Sequence, residues 1–297
     1  MKRILVGLDG SAASLDALRW TVALADAAAA DFTAVYAFTP SYAEVSLDQY
    51  EVLRAQAEQR LIGWSADSAS RRPVNSLVIG GDPSVLLTAA GQDADLLVVG
   101  TRGAGGFAHL HLGSVAHHLA HHTSVPLAIV PTSAAGDRVA RIVIGVDGSP
   151  GSAAAVAFCA ALAPTLGATV VALHTHEPNA EWATGTNPRS WREAAATKVH
   201  EWVVPIAAAG VAVEVNVDRD RHPVDALSRA VEAEAHTLAV VGTRGLGGFS
   251  GLRLGRVPIH LVHHTGAAVV MVPPGPSDGR PDGSEHDHPD RPLDDSL

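Results

Sequence analysis

Aromatic residues make up only 4% of the 297-residue chain, so its core has to be assembled from Ala, Val, Leu and Ile. Small side chains of that kind suit parallel strands covered by Ala-rich helices. Cysteine occurs once, at Cys159. That excludes an intramolecular disulfide and leaves a reducing compartment as the default; the surrounding stretch Ala153 to Ala163 reads as a buried helix. Lysine occurs only at Lys2 and Lys198, and the formal charge is −10. Extended contact with nucleic acid depends on cations that neutralise phosphates, so no nucleic-acid partner is expected. No apolar run approaches the ~18 residues of a membrane helix, and Ile4-Leu5-Val6 stops at Gly7, far short of a signal-peptide core. These absences predict a cytoplasmic protein with no membrane partner.

What is present is internal similarity. Arg3-Ile-Leu-Val-Gly-Leu-Asp-Gly-Ser11 returns as Arg141-Ile-Val-Ile-Gly-Val-Asp-Gly-Ser149, at an offset of 138, and Val98-Val-Gly-Thr-Arg-Gly103 returns as Val240-Val-Gly-Thr-Arg-Gly245, at an offset of 142. The second copy therefore carries four extra residues between these landmarks. A period near 140 is too long for a solenoid and long enough for a domain with its own core, so the chain reads as a tandem duplication. Expected domains are 1–133 and 141–274, joined by a linker at 134–140 and followed by a disordered tail at 275–297, rich in Pro, Gly, Asp and His, that holds much of the negative charge.

Each copy alternates strand-like and helix-like segments. In the first, Arg3 to Leu8 is a strand and Ser11 caps an Ala/Leu-rich helix. Phe32 to Phe38 is the second strand, followed by a polar helical stretch from Ser46 to Arg71. After a third strand, Val74 to Ile79, Asp82-Pro83 supplies an N-cap and an N1 proline. Asp95 to Gly100, Ser114 to His122 and Pro126 to Val130 complete a β-α-β-α-β-α-β-α-β order. The second copy is expected to follow the same course, with Ser149-Pro150 and His222-Pro223 opening two of its helices. Strict alternation implies an α/β fold: two tandem Rossmann-like domains, each a five-stranded parallel sheet with helices on both faces.

Ligands of such sheets bind beyond the carboxyl ends of the strands. Two segments of each copy meet there: the turn Gly7-Leu8-Asp9-Gly10-Ser11, and the loop Gly100-x2-Gly103-x9-Gly113-Ser114. Glycines let main-chain amides close on an anion, and a helix N-terminus adds unpaired donors and the positive end of its dipole. Together they form a plausible cradle for phosphates. The histidines His117, His118, His121 and His122, with His109 and His111 upstream, form i,i+4 pairs of the kind that chelate metals. No Cys and no suitably spaced acid completes a ligand set, so a structural or surface role is expected and no metal site is assigned.

The glycine pattern, the Val-Val-Gly strand before it, the Asp after strand one and the Gly81-Asp82-Pro83 turn, present twice and in order, resemble the universal stress protein family in its tandem two-domain form. The resemblance covers both copies and leaves out the linker and the tail. It implies an ATP-binding regulatory protein of the stress response, with Mg2+ as an optional companion of the triphosphate. In ATP-binding members the residue matching Asp9 contacts ribose, that matching Ala37 meets adenine through its main chain, and Gly100, Gly103, Gly113, Ser114 and Val115 take the phosphates. The second set is Asp147, Thr175, Gly242, Gly245, Gly255, Arg256 and Val257. It departs from the pattern at Arg256, which stands where the first copy has Ser114 and is expected either to grip a phosphate or to fill the site; retained binding is favoured, because main-chain donors supply most of the cradle. Relatives of this kind pair through their fifth strands. The resemblance implies an intrachain pseudo-dimer, Pro126 to Val130 against Ala267 to Val272, with a homodimer as a further option.

The chain has no G-x4-GK[ST] loop and no Ser/His/Asp or Cys/His constellation, so no catalytic residue is assigned and at most slow ATP hydrolysis is expected. Two other classes stay open: a nucleotidyl-transfer enzyme on the same scaffold, although its first-loop HxGH or SGGxDS motif is missing, and an interaction protein with vestigial pockets.

Overall fold

The computed structural model describes residues 1–39, 46–66, 68, 70–103, 112–134, 136, 138–175, 188–246 and 254–275, the side chains of 188–190 excepted. The expected tail therefore lies outside the described residues, save Gly275. The first copy runs β1 (Arg3–Leu8), α1 (Ala12–Ala28), β2 (Asp31–Phe38), α2 (Leu47–Ala66), β3 (Asn75–Gly80), α3 (Pro83–Gly91), β4 (Leu96–Gly100), α4 (Ser114–His122) and β5 (Leu127–Val130). The second runs β6 (Arg141–Gly145), α5 (Pro150–Leu166), β7 (Thr169–Thr175), α6 (Pro188–Trp202), α7 (Val204–Ala208), β8 (Val213–Asp218), α8 (Pro223–Glu232), β9 (Thr237–Gly242), α9 (Arg256–His264) and β10 (Val269–Val272).

The helix starts follow local chemistry. Ser11 and Ser149 accept the amides of Ser14 and Ser152 at 3.2 and 3.1 Å, and Asp82 accepts those of Ser84 and Val85 ahead of an N1 proline. Two expectations need correction. Helix α2 stops at Ala66 instead of Arg71, because Ser68 takes the Ser65 carbonyl with both its amide and its hydroxyl. The second copy also does not repeat the first: the counterpart of α2 is broken into α6 and α7 at Val203 (φ −92°, ψ 6°). Pro205 is the cause, since it has no N–H to offer the carbonyl four residues back.

The strands join one ten-stranded sheet in the order β3-β2-β1-β4-β5-β10-β9-β6-β7-β8. All pairings are parallel except the central one, where β5 meets β10 antiparallel with Ile129 opposite Val269 and Leu127 opposite Met271. The fifth strands thus pair within one chain. Successive strand residues alternate between two cores: Ile4, Val6 and Leu8 belong to one that also holds residues of α1, α2 and α5, while Leu5, Leu97 and Val99 belong to one that holds residues of α3, α4, α8 and α9. Both cores run across the seam, so the copies share their buried apolar surface.

One corner is built differently in the two halves. Ahead of β1, the Asp95 carboxylate accepts the amides of Lys2 and Arg3 at 2.5 and 3.0 Å. The corresponding amides of Ala140 and Arg141 go instead to the main-chain oxygen of His236, at 3.0 and 3.4 Å. Thr237 stands where the first copy has Asp95 and has no carboxylate to offer. His236 supplies a carbonyl by adopting a left-handed φ of +59°, a conformation His tolerates better than most residues.

Candidate functional site

The chain turns sharply after β1. Asp9 folds its own turn, its Oδ1 accepting the Ser11 amide at 3.0 Å, and Asp147 does the same with Ser149 at 3.0 Å. Asp9 is therefore not the cap of α1; Ser11 is. The Ser11 hydroxyl also donates to the Arg102 carbonyl at 3.3 Å, and Ser149 to that of Arg244 at 3.2 Å. One serine per copy thus ties the first turn to the glycine loop.

The glycines explain how close that approach is. Gly100 and Gly242 end β4 and β9 against the backbone of α1 and α5; a Cβ on Gly100 would lie 2.6 Å from the Ala13 carbonyl carbon, and one on Gly242 would overlap Gly151. Gly103 and Gly245 lie directly on the carboxylates: a Cβ there would overlap Oδ2 of Asp9 and of Asp147 respectively. In the second copy that oxygen also accepts the Leu246 amide at 3.0 Å. The loop then returns to its helix, with Gly113 donating to Thr101 O and Gly255 to Thr243 O, both at 2.7 Å. Asp, loop and helix start are thereby gathered into one patch in each copy. Residues 104–111 and 247–253, with His109 and His111, lie outside the described residues.

Helices α4 and α9 open on Gly113 and Gly255 in extended conformation, with no side chain among the described residues capping either one. The first amides of a helix have no partner inside it, so Ser114, Val115 and Ala116 present three uncapped donors. In α9 the amides of Arg256 and Val257 remain, but Pro258 stands where Ala116 does and contributes none. A first-turn proline is harmless to a helix, yet in a cradle made of first-turn amides it removes a donor. Ser114 and Arg256 are exposed, Val115 and Val257 half-buried. Arg256 has no hydrogen-bond or ion-pair partner among the described residues. Ala37 and Thr175, each 8% exposed, follow the last β1–β2 and β6–β7 pairs, Leu8 with Tyr36 and Gly145 with Leu173. Their main chain therefore flanks the Asp turn.

Two residues of this patch were not picked out from the sequence. Trp64 lies over Gly10 and meets Tyr36 edge to face at 5.1 Å; Trp202 lies over Gly148 and meets His174 at 5.4 Å. Both pairs are separated by the β1–β6 offset of 138, a coincidence that could have revealed them.

The α4 histidines are paired ring on ring, His117 with His121 at 4.7 Å and His118 with His122 at 4.1 Å; in α9 His260 meets His264 at 5.1 Å. Burial first, and the neighbouring His117, His122 and His118 next, push the His121 imidazole below its ordinary pKa. Among the described residues no group of three or more His, Cys, Asp or Glu is placed to hold a metal ion, and no helix is long and apolar enough to cross a membrane.

Against known proteins, the sequence profile of the universal stress protein family matches residues 1–131 and again 139–273. A universal stress protein of Mycolicibacterium smegmatis is 29% identical over 293 residues, 91% of this chain and 97% of its own. One from Mycobacterium tuberculosis is 29% identical over 313 residues, 93% of this chain and 96% of its own. Among solved structures, a universal stress protein from Archaeoglobus fulgidus superimposes with a TM-score of 0.70 at 20% identity, covering 92% of this chain and 98% of its own. That likeness bears on the fold.

Proposed function

The chain belongs to the universal stress protein family, in both halves, and from that premise we propose that it is an ATP-binding regulatory protein whose two cradles each take one nucleotide. The observation that carries this reading is a helix N-terminus without a side-chain cap, standing beside a glycine loop fastened to a carboxylate, built twice. Uncapped first-turn amides and a dipole's positive end are the donors a phosphate chain needs. The main chain of Ala37 and Thr175 borders the Asp turn, where a base and a ribose would lie. Mg2+ would enter with the triphosphate, since no protein carboxylate is left over for it in the described cradle.

Binding without rapid turnover is the form of this activity we favour. Asp147 already accepts main-chain amides through both oxygens, and Asp9 is held by Ser11, which suits anchoring better than proton abstraction. ATP then acts by changing which surface the paired domains offer to a regulatory partner.

Isothermal titration of the full chain with ATP, together with mass spectrometry of small molecules released on denaturation, tests the proposal. Two ATP per chain are expected, with Asp9→Ala and Asp147→Ala each removing one. A chain that carries no nucleotide and takes up none would overturn it.

A further inference from the structure

The two cradles differ at the end where a base would lie. With phosphates at the start of α9, beyond β9, and ribose at Asp147, beyond β6, the sheet order β9-β6-β7-β8 carries the base over the ends of β7 and β8. Three strand spacings of ~4.8 Å, or ~14 Å in all, suit an extended nucleotide. The strand register fixes which residues stand at that end. Ile79 pairs with Ala37 and Asp218 with Thr175, so the residues that follow, Gly80 and Arg219, hold the same place in the two copies.

In the first copy that place is small and aromatic. A Cβ on Gly80 would lie 2.7 Å from the Tyr50 hydroxyl, and the Tyr50 ring meets that of Phe38 at 5.7 Å. Gly81 and Asp82 alone separate β3 from α3, and the Gly81 amide is tied to Phe38 O at 2.9 Å. In the second copy Arg219, Asp220, Arg221 and His222 make the same connection. Asp218 folds it, its Oδ1 accepting the amides of Asp220 and Arg221 at 3.0 and 3.1 Å and its Oδ2 the Arg221 guanidinium at 2.5 Å. Arg221 is thereby committed. Arg219 is half-buried, its guanidinium carbon 5.8 Å from the centre of the Trp191 ring, and it has no hydrogen-bond or ion-pair partner among the described residues.

A guanidinium steadied on an aromatic ring, with its N–H groups unspent, is suited to a pair of acceptors. Guanine presents two on one edge, O6 and N7, whereas adenine has an amino donor in place of O6. A donor facing a donor is repelled, so the arginine that gains on guanine loses on adenine. In the first copy the Tyr50 hydroxyl stands in that place; it can donate or accept and so suits either base, and an aromatic face stacks on any base. We propose that the second cradle selects guanine nucleotides through Arg219, while the first takes adenine and guanine nucleotides alike. This rests on both cradles holding nucleotides as proposed above, and adds which base each one reads. Saturating ATP still fills both, so the preference shows in affinity and not in stoichiometry.

The test is calorimetric titration of the full chain with ATP and with GTP, one cradle at a time. Asp9→Ala leaves the second cradle and Asp147→Ala the first. The second is expected to bind GTP about tenfold more tightly than ATP, within the range of one bidentate arginine contact to guanine, and the first to bind the two within about threefold of each other. The triphosphates are identical, so Arg256 cancels from the comparison. Adding Arg219→Gly to Asp9→Ala, which writes the first copy's residue into the second, should bring GTP down to the level of ATP. If that chain does not fold, Arg219→Met keeps the stem and serves instead. Arg219→Lys keeps the charge without the fork and should lose most of the preference. Equal affinity for ATP and GTP at the second cradle, or a preference that survives Arg219→Gly or Arg219→Met, overturns this inference and leaves the cradles standing. Failure of both nucleotides to bind at either cradle overturns the cradles as well.

Discussion

The two cradles are alike where loop meets scaffold and unlike where a ligand would touch. Asp9 and Asp147 bond the same turn amide at the same 3.0 Å, and Ser11 and Ser149 reach the loop carbonyl at 3.3 and 3.2 Å. Gly103 and Gly245 are seated on the same carboxylate oxygen. One helical step later, Ser114-Val115-Ala116 has become Arg256-Val257-Pro258. Contacts that keep the loop folded back on β1 leave little room for change, because the serine hydroxyls and Asp147 each serve two partners at once. Among the described residues the first turns of α4 and α9 have no side-chain cap to keep, so their exposed positions, Ser114 and Arg256, can vary with little loss of stability. Divergence there is expected to alter what is bound before it alters the fold.

The largest effect is expected where the copies agree. Gly100→Ala and Gly242→Ala each place a methyl group against backbone, which cannot rotate away, so each should cost about 3 kcal/mol, the upper end for overpacking. Urea denaturation should find the two within error of each other. A clearly smaller loss in one copy would mean that its β4–α1 or β9–α5 contact is looser than described. Next comes the difference itself. If Arg256 grips phosphate, Arg256→Ala should weaken ATP at the second site about tenfold or more, the value of a charge-assisted hydrogen bond, and leave the first site unchanged. Tighter binding in that variant would identify Arg256 as a plug. Pro258→Ala, which returns a donor, should strengthen the second site in either case.

Much of this comparison was legible in the sequence, for physical reasons that also mark its limit. Caps such as Ser11 and Asp82 act on neighbours two or three residues away, and the duplication repeats short landmarks, so both are visible locally. The break at Pro205 is equally local, but a duplication makes the first copy the natural template for the second and so hides it. The fastening of the loop was not legible, since the Leu246 amide and Asp147 are 99 positions apart and only the folded sheet brings them together. Nor was the left-handed backbone of His236, whose carbonyl takes the Ala140 and Arg141 amides where Thr237 has no carboxylate to offer.

That corner separates the copies by pH. Burial alone would raise the Asp95 pKa, but the amides of Lys2 and Arg3 and the nearby N-terminal charge overcome it, and the carboxyl is held below its ordinary value. A depressed carboxyl contributes stability that is present above the unfolded value of ~3.9 and is lost as pH falls through the folded one. Asp95→Asn should therefore cost about 1 kcal/mol at neutral pH, discounting a charged hydrogen-bond pair for its exposure. The loss should shrink toward zero as pH falls below the folded pKa of Asp95. The His236 carbonyl does not titrate, so Thr237→Ala should show no such acid limb.

The smallest expected effect concerns the helix that follows each cradle. In α4 His117, His118 and His122 crowd His121, and burial with their charges lowers its pKa. In α9 the position matching His117 is Ile259. A histidine whose folded pKa lies below its unfolded value adds stability at neutral pH that is lost as pH falls through ~6.5 and below. His117→Ile, which writes the second copy's residue into the first, removes one neighbouring charge. It should therefore flatten that loss by about 0.3 kcal/mol, the size of a like-charge i,i+4 pair, with no change at pH ~8, where imidazoles are neutral. Thermal melts across that range check it. A matching gain at high pH would point to apolar packing by Ile, and the two α4 histidine pairs would then be no more than surface stacking, as His260 and His264 are in α9.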